Sequence, residues 1–109
     1  MNTNNRVLLT GNLGKDPEIK NLENGGKLAK FSLATKDEFV NKAGVKGEDT
    51  QWHNITAWDK LAERAASEIK KGSFISIEGR LSTRSYVDKE GQKRYFTEIV
   101  ASDMQVKVA

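Results

Sequence analysis

A small all-β domain carrying one helix is the fold class this sequence predicts, and three observations predict it. The chain has 109 residues, which fits a single domain spanning residues 1–109. Its apolar residues fall in short clusters that alternate with polar ones, the period-two signature of strands. Gly and Asn-Gly punctuation separates the clusters, and only one segment, after Trp58, shows helical spacing.

In chain order, Arg6 to Thr10 is an apolar run closed by Gly11-Asn12 and reads as the first strand. Asp16-Pro17 marks a turn or strand edge, and Asn24-Gly25-Gly26 is a hairpin signal. From Leu28 to Thr35, Ala29, Phe31 and Leu33 share one face while Lys30, Ser32 and Ala34 share the other. Asp37 to Thr50 is charged, holds Gly44 and Gly47, and is expected as an exposed flexible loop. Gln51 to Trp58 is the next strand. Asp59 is placed to cap a helix running to Lys71, with Leu61, Ala62, Ala65 and Ile69 as its apolar stripe and Gly72 as its stop. Phe74 to Leu81 aligns Ile75, Ile77 and Leu81 on one face. Thr83–Val87 and Tyr95–Ala101 flank Asp88-Lys89-Glu90-Gly91-Gln92, expected as a projecting hairpin, and Met104–Val108 is a candidate closing strand. Five or six strands with a helix after the third major one is the order of the OB-fold. That fold is a five-stranded Greek-key barrel that often presents one face to oligonucleotides or oligosaccharides.

Composition narrows the function classes. The formal net charge is +3, a mild excess compatible with a polyanionic partner. The basic residues Arg80, Arg84, Lys89, Lys93 and Arg94 concentrate in one stretch that holds only Asp88 and Glu90 as acids. There is no cysteine, so disulfides, thiolate metal sites and cysteine nucleophiles are excluded. His53 is the one histidine, no metal-ligand spacing is present, and Gly11-Asn12-Leu13-Gly14 lacks the lysine and spacing of a phosphate-binding loop. Asp37-Glu38 and Glu48-Asp49 read as solvated loop charge. No catalytic residue, metal or cofactor is expected. No apolar run has membrane-spanning length and the start of the chain is polar, so a cytoplasmic protein with no membrane partner is expected.

The informative strand is Gln51–Trp58. Its alternation puts Trp52, Asn54, Thr56 and Trp58 on one face, and His53, Ile55 and Ala57 on the other. Trp-Asn-Thr-Trp is a poor core face, because Asn54 and Thr56 would need buried partners. It is a good exposed platform for flat ligands such as nucleobases, which stack on aromatic rings whatever their identity. Phe39 and Tyr86 lie in charged segments and read either as caps over the core or as clamps for a base beside a cation. Arg84 shares strand parity with Tyr86. Phe31, Phe74, Tyr95 and Phe96 have ordinary packing explanations, and His53 faces away from both tryptophans.

Leu9-Thr10-Gly11-Asn12-Leu13-Gly14-Lys15-Asp16-Pro17-Glu18 resembles the opening signature of bacterial single-stranded DNA-binding proteins. Phe31-Ser32-Leu33-Ala34-Thr35, Trp52-His53, Lys60-Leu61-Ala62-Glu63, Lys71-Gly72-Ser73, Glu78-Gly79-Arg80-Leu81 and Thr83-Arg84-Ser85-Tyr86 continue it in order along nearly the whole chain. The resemblance implies an OB-fold that assembles as a homotetramer and coats single-stranded DNA in replication, recombination and repair. It implies stacking roles for Phe39, Trp52, Trp58 and Tyr86, with ring types at Phe39, Trp58 and Tyr86 that differ from the best-known members. It implies phosphate contacts at Lys42, Lys60, Lys71 and Arg84, to which Arg6 and Lys36 are added, and a subunit-interface role for His53. Family members usually carry a tail ending in an acidic motif that recruits enzymes. This sequence stops at Val106-Lys107-Val108-Ala109, so either the tail was removed or this is a short form, and recruitment through such a tip is not expected. The alternative expectation is a tailless OB-fold protein-interaction subunit of a primosome-type assembly.

Overall fold

The computed structural model describes residues 4–107. Its elements run β1 (Val7–Leu13), β2 (Glu18–Asn21), β3 (Lys27–Val40), β4 (Lys46–Trp58), α1 (Lys60–Glu68), β5 (Phe74–Val87) and β6 (Lys93–Val106). The strands are ordered β1-β5-β6-β4-β3-β2, and a further β1–β3 pairing closes five of them into a barrel with β2 outside on β3. This is the OB-fold the element order predicted.

Alternation fills the barrel. Ala29, Phe31 and Leu33 enter from β3, Ile55 and Ala57 from β4, Ile75 and Ile77 from β5, and Ile99, Ala101 and Met104 from β6. The helix packs on β3, β4 and β6 and buries Ala62 and Ala65, with Ile69 just beyond it. Closure needs glycine at two crossings. A Cβ at Gly11 would fall inside the Ala34 carbonyl, and one at Gly79 inside the Val100 carbonyl.

Several expected boundaries move. The segment Asp37–Thr50 is not a flexible loop. Its residues extend β3 and β4 into a long hairpin whose turn, at 41–45, is held by the Asn41 side-chain oxygen accepting the N–H groups of Ala43 (2.9 Å) and Val45 (3.0 Å). Both faces of these arms meet solvent, so no apolar alternation marks them; the backbone ladder holds them instead. Gly11-Asn12 does not close β1, which runs on to Leu13. Phe74–Leu81 and Thr83–Val87 form one strand, β5, and Tyr95–Ala101 and Met104 onward form one strand, β6. A register shift lets Gly79 face Ala101 while Glu78 faces Asp103, leaving Ser102 as the extra residue of a bulge. Val108 lies outside the described residues. Leu81 keeps the parity of Ile75 and Ile77 but lies two residues past Gly79, the last β5 position paired with β1, and it is exposed.

The helix ends at Glu68 rather than Lys71, because Ile69 turns extended (φ −124°) and enters the core; Gly72 serves the following turn at φ +88°. Asp59 precedes α1 but its side chain does not cap it. Held at φ +52°, it bonds β3 instead, its N–H donating to the Lys27 carbonyl (2.8 Å) and its carboxylate accepting the Lys27 N–H (3.3 Å).

Candidate nucleic-acid interface

β4 and β6 run parallel and pair only where Ile55–Thr56 meet Ile99–Val100. Ahead of that contact, β4 pairs only with β3 and β6 only with β5. Because β4 and β6 are parallel, the two hairpin turns project from the same end of the barrel. The projections explain a radius of gyration of 16.1 Å, against about 13 Å for a compact chain of this length. A groove of about 450 Å³ crosses the outer face here, lined by Trp52, Asn54 and Thr56 of β4, Lys30 and Ser32 of β3, Phe96 and Glu98 of β6, and the Gly14–Asp16 loop.

Both tryptophans occupy the outer face as predicted, Trp52 60% and Trp58 46% exposed. Six positions of strand separate them by about 20 Å. The Trp52 indole is seated on Gly14: a Cβ there would lie 2.5 Å from ring atom Cζ3 and 2.8 Å from Cη2. Trp58 stands directly opposite Leu28. Between the tryptophans the face is not wholly open. Thr56 is buried, and its hydroxyl donates to Oε2 of the buried Glu98 at 2.7 Å, so the partner it needed exists. The same oxygen accepts Nη2 of Arg84 at 3.2 Å. The Arg84 guanidinium carbon lies 5.5 Å above the centre of the Phe96 ring.

Tyr86 is 54% exposed, two positions beyond Arg84 on the same face of β5. The turn beside it is locked by Asp88, whose Oδ1 accepts the N–H groups of Glu90 and Gln92 and whose Oδ2 accepts Arg94 Nε, each at 2.9 Å. Arg94 foremost, and then these backbone donors, hold the Asp88 carboxyl below the usual aspartate range.

Phe39 stands apart. It lies in β3 rather than in a loop, and it has the parity of Phe31 and Leu33, opposite to the tryptophan face. Its ring, 47% exposed, covers Gly47, where a Cβ would lie 2.7 Å from Cε2.

The cations divide into free and paired. Lys42 sits in the hairpin turn, Lys60 opens α1, and Lys71 lies in the turn after it, where its N–H donates to Asp16 Oδ1 (2.7 Å) on the loop that edges the groove. None of the three joins an ion pair among the described residues. Lys36, on the tryptophan face, pairs with Glu48 at 3.6 Å. Arg6 is bound to Glu78, which lines a separate hollow with Leu8 and Asp103, so the structure does not bring Arg6 to the groove. His53 faces away from the tryptophans and shares a 2.9 Å hydrogen bond with Thr35.

Phe96, Glu98 and Gly14 are groove residues that sequence reasoning missed; alternation places Thr56 on this face but does not foresee its burial against Glu98. Alternation along Tyr95–Ala101 puts Phe96 and Glu98 on one face, but only the observed register, Arg84 opposite Phe96, joins that face to Arg84. Tyr95, read as an ordinary packing residue, is exposed beneath the Lys93 ammonium. Among the described residues no cluster of three or more His, Cys, Asp or Glu is placed to hold a metal ion, and no helix is long and apolar enough to cross a membrane.

Known proteins share this chain's sequence pattern and fold. The model of the single-strand binding protein family matches residues 4–107. The chain is 48% identical over 103 residues to single-stranded DNA-binding protein 1 of Chlorobaculum tepidum, a match covering 94% of this chain and 64% of that relative, so it spans under two thirds of the relative's length. Among solved structures, the Plasmodium falciparum SSB complex with ssDNA superposes with a TM-score of 0.90 at 29% identity, covering 99% of this chain and 98% of that one.

Proposed function

The chain belongs to the single-strand binding protein family, and from that premise we propose that it binds single-stranded DNA without regard to sequence. Bases stack on Trp52, Trp58 and Tyr86, and lysines meet the backbone phosphates. The observation that carries this reading is the outer face of β4, where both tryptophans of the protein stand exposed and Trp52 lines the groove. Side chains of this size are normally packed; a pair left in solvent on one strand face is an open stacking surface, worth about 1–3 kcal/mol per base.

Phosphate neutralisation falls first to Lys42, Lys60 and Lys71, which no carboxylate among the described residues pairs. Each contact on a single strand adds about −0.7 to the salt slope, so these three supply about −2 per chain. Lys36 and Arg6 contribute less, since each must give up or share a carboxylate partner. Phe39, on the opposite parity, meets DNA only if the strand wraps around the β3–β4 hairpin. In this reading the protein has no catalytic role. It protects exposed strands in replication, recombination and repair in the bacterial cytoplasm or nucleoid, as a homotetramer with His53 near a subunit contact.

Titration with oligo-dT, followed by tryptophan fluorescence at several salt concentrations, tests the reading. Strong quenching and weakening with salt are expected, since Trp52 and Trp58 are the only tryptophans. Absence of both quenching and a mobility shift at low salt refutes it. Light scattering with and without oligo-dT gives the assembly state.

A further inference from the structure

Arg84 looks from its charge like one more phosphate contact, but its surroundings suit a different task. Its guanidinium is held from two sides. Glu98 Oε2 accepts its Nη2 at 3.2 Å, and the Phe96 ring lies beneath its central carbon at 5.5 Å, within cation–π range. Glu98 is itself fixed, with a side chain only 8% exposed and the Thr56 hydroxyl on the same oxygen at 2.7 Å. Arg84 and Phe96 are directly opposed across β5 and β6, so the register sets ring and guanidinium one above the other. The Arg84 side chain nevertheless remains 57% exposed. Phe96 and Glu98 line the same groove as Trp52.

We propose that Arg84 stacked on Phe96 is a further base platform of the groove: the guanidinium plane receives a nucleobase, and Glu98 orients it. This rests on the single-strand reading above and refines it. A phosphate contact needs only positive charge, and a guanidinium already neutralised by a buried carboxylate releases little counterion when it meets a phosphate. A base, in contrast, can stack on a flat guanidinium as it does on an aromatic ring. Lysine carries the charge but offers no plane, so the two roles separate cleanly.

The test compares Arg84→Lys, Arg84→Ala and Phe96→Leu with the unaltered chain in oligo-dT titrations across a salt series, with thermal melts alongside. A platform gives a loss of about tenfold in Arg84→Lys and in Phe96→Leu, within the range of one stacked base. The salt slope stays unchanged, and a chain carrying both Arg84→Lys and Phe96→Leu binds little worse than either single variant. A phosphate contact gives near-normal binding in Arg84→Lys and a slope shallower by about 0.7 in Arg84→Ala; that result overturns the proposal. Should Phe96→Leu unfold, the exposed Arg84→Lys decides alone. If the unaltered chain itself fails to bind oligo-dT, the single-strand reading falls and takes this one with it. If the chain binds and Arg84→Lys is neutral, only the platform falls.

Discussion

Gly14→Ala isolates the seat of Trp52 from the ring itself. The added methyl would lie 2.5 and 2.8 Å from two indole atoms, where ordinary carbon contacts begin near about 3.5 Å, so the ring must shift by about 1 Å. It can do so without disturbing the barrel, because Trp52 is 60% exposed and what crowds Gly14 is side chain rather than backbone. Gly14 is not in the left-handed region, and removing a glycine restricts the unfolded chain, a stabilising effect of about 0.4–1 kcal/mol that offsets the lost contact. Stability should therefore change by less than about 1 kcal/mol. Binding should fall by much of what Trp52 supplies, about 1–3 kcal/mol or roughly five- to 150-fold. Fluorescence titration with oligo-dT, paired with a thermal melt, reads both quantities, with Trp52→Ala as the reference. Undiminished affinity in Gly14→Ala beside weakened Trp52→Ala would show that the seat does not orient the ring. A collapsed melting temperature would show that Gly14 supports the fold.

Other expectations follow from neighbouring features. Trp58→Ala should weaken oligo-dT binding by about 1–3 kcal/mol while circular dichroism stays native; unfolding would return Trp58 to the core. Gly11→Ala should cost at least about 2 kcal/mol, because its methyl meets the Ala34 backbone carbonyl, which cannot swing aside as an indole can. A melting temperature lowered by about 10 °C would register that loss, and an unchanged one would contradict the closure geometry. For Asp88, the folded carboxyl titrates below its unfolded value, so its contribution is present above the usual aspartate range and is lost only as pH falls through the lower, folded value. In an NMR titration the Glu90 and Gln92 amides should hold their positions through the ordinary aspartate range and shift only below it. Asp88→Asn should abolish that low-pH shift, and normal titration in the unaltered chain would refute the turn lock.

The barrel strands were legible because burial leaves a period-two record, as at Ala29, Phe31 and Leu33 or at Ile75 and Ile77. The hairpin arms at Asp37–Thr50 were not, because strands wet on both faces carry no such record. Their acids even stand opposed, Asp37 facing Asp49 and Glu38 facing Glu48, which local charge reasoning reads as loop. On the candidate face, Trp52 and Trp58 could be read from one strand alone. Placing Arg84 on Phe96, or Glu98 under Thr56, needs the pairing of β5 with β6 and of β6 with β4. Those pairings join residues distant along the chain and are decided by closure of the whole barrel. Phe39 was found by context, but its face became visible only once the β3–β4 ladder fixed its parity.

Closure by β1 also orders events during synthesis. The β3–β4 and β5–β6 hairpins join neighbours in the chain and can form within microseconds of their second arm emerging. β1 must wait for β5, whose Gly79 pairs with Val7 about 70 residues earlier. At ribosomal rates of about 5–20 residues per second, that wait lasts about 4–14 s. Throughout it, Val7, Leu9 and Leu13 have no barrel to enter, although β1–β3 pairing can shelter the strand's far end. The first strand made is thus among the last to be sealed, and the interval before β5 arrives is when the nascent chain is most open to mispairing.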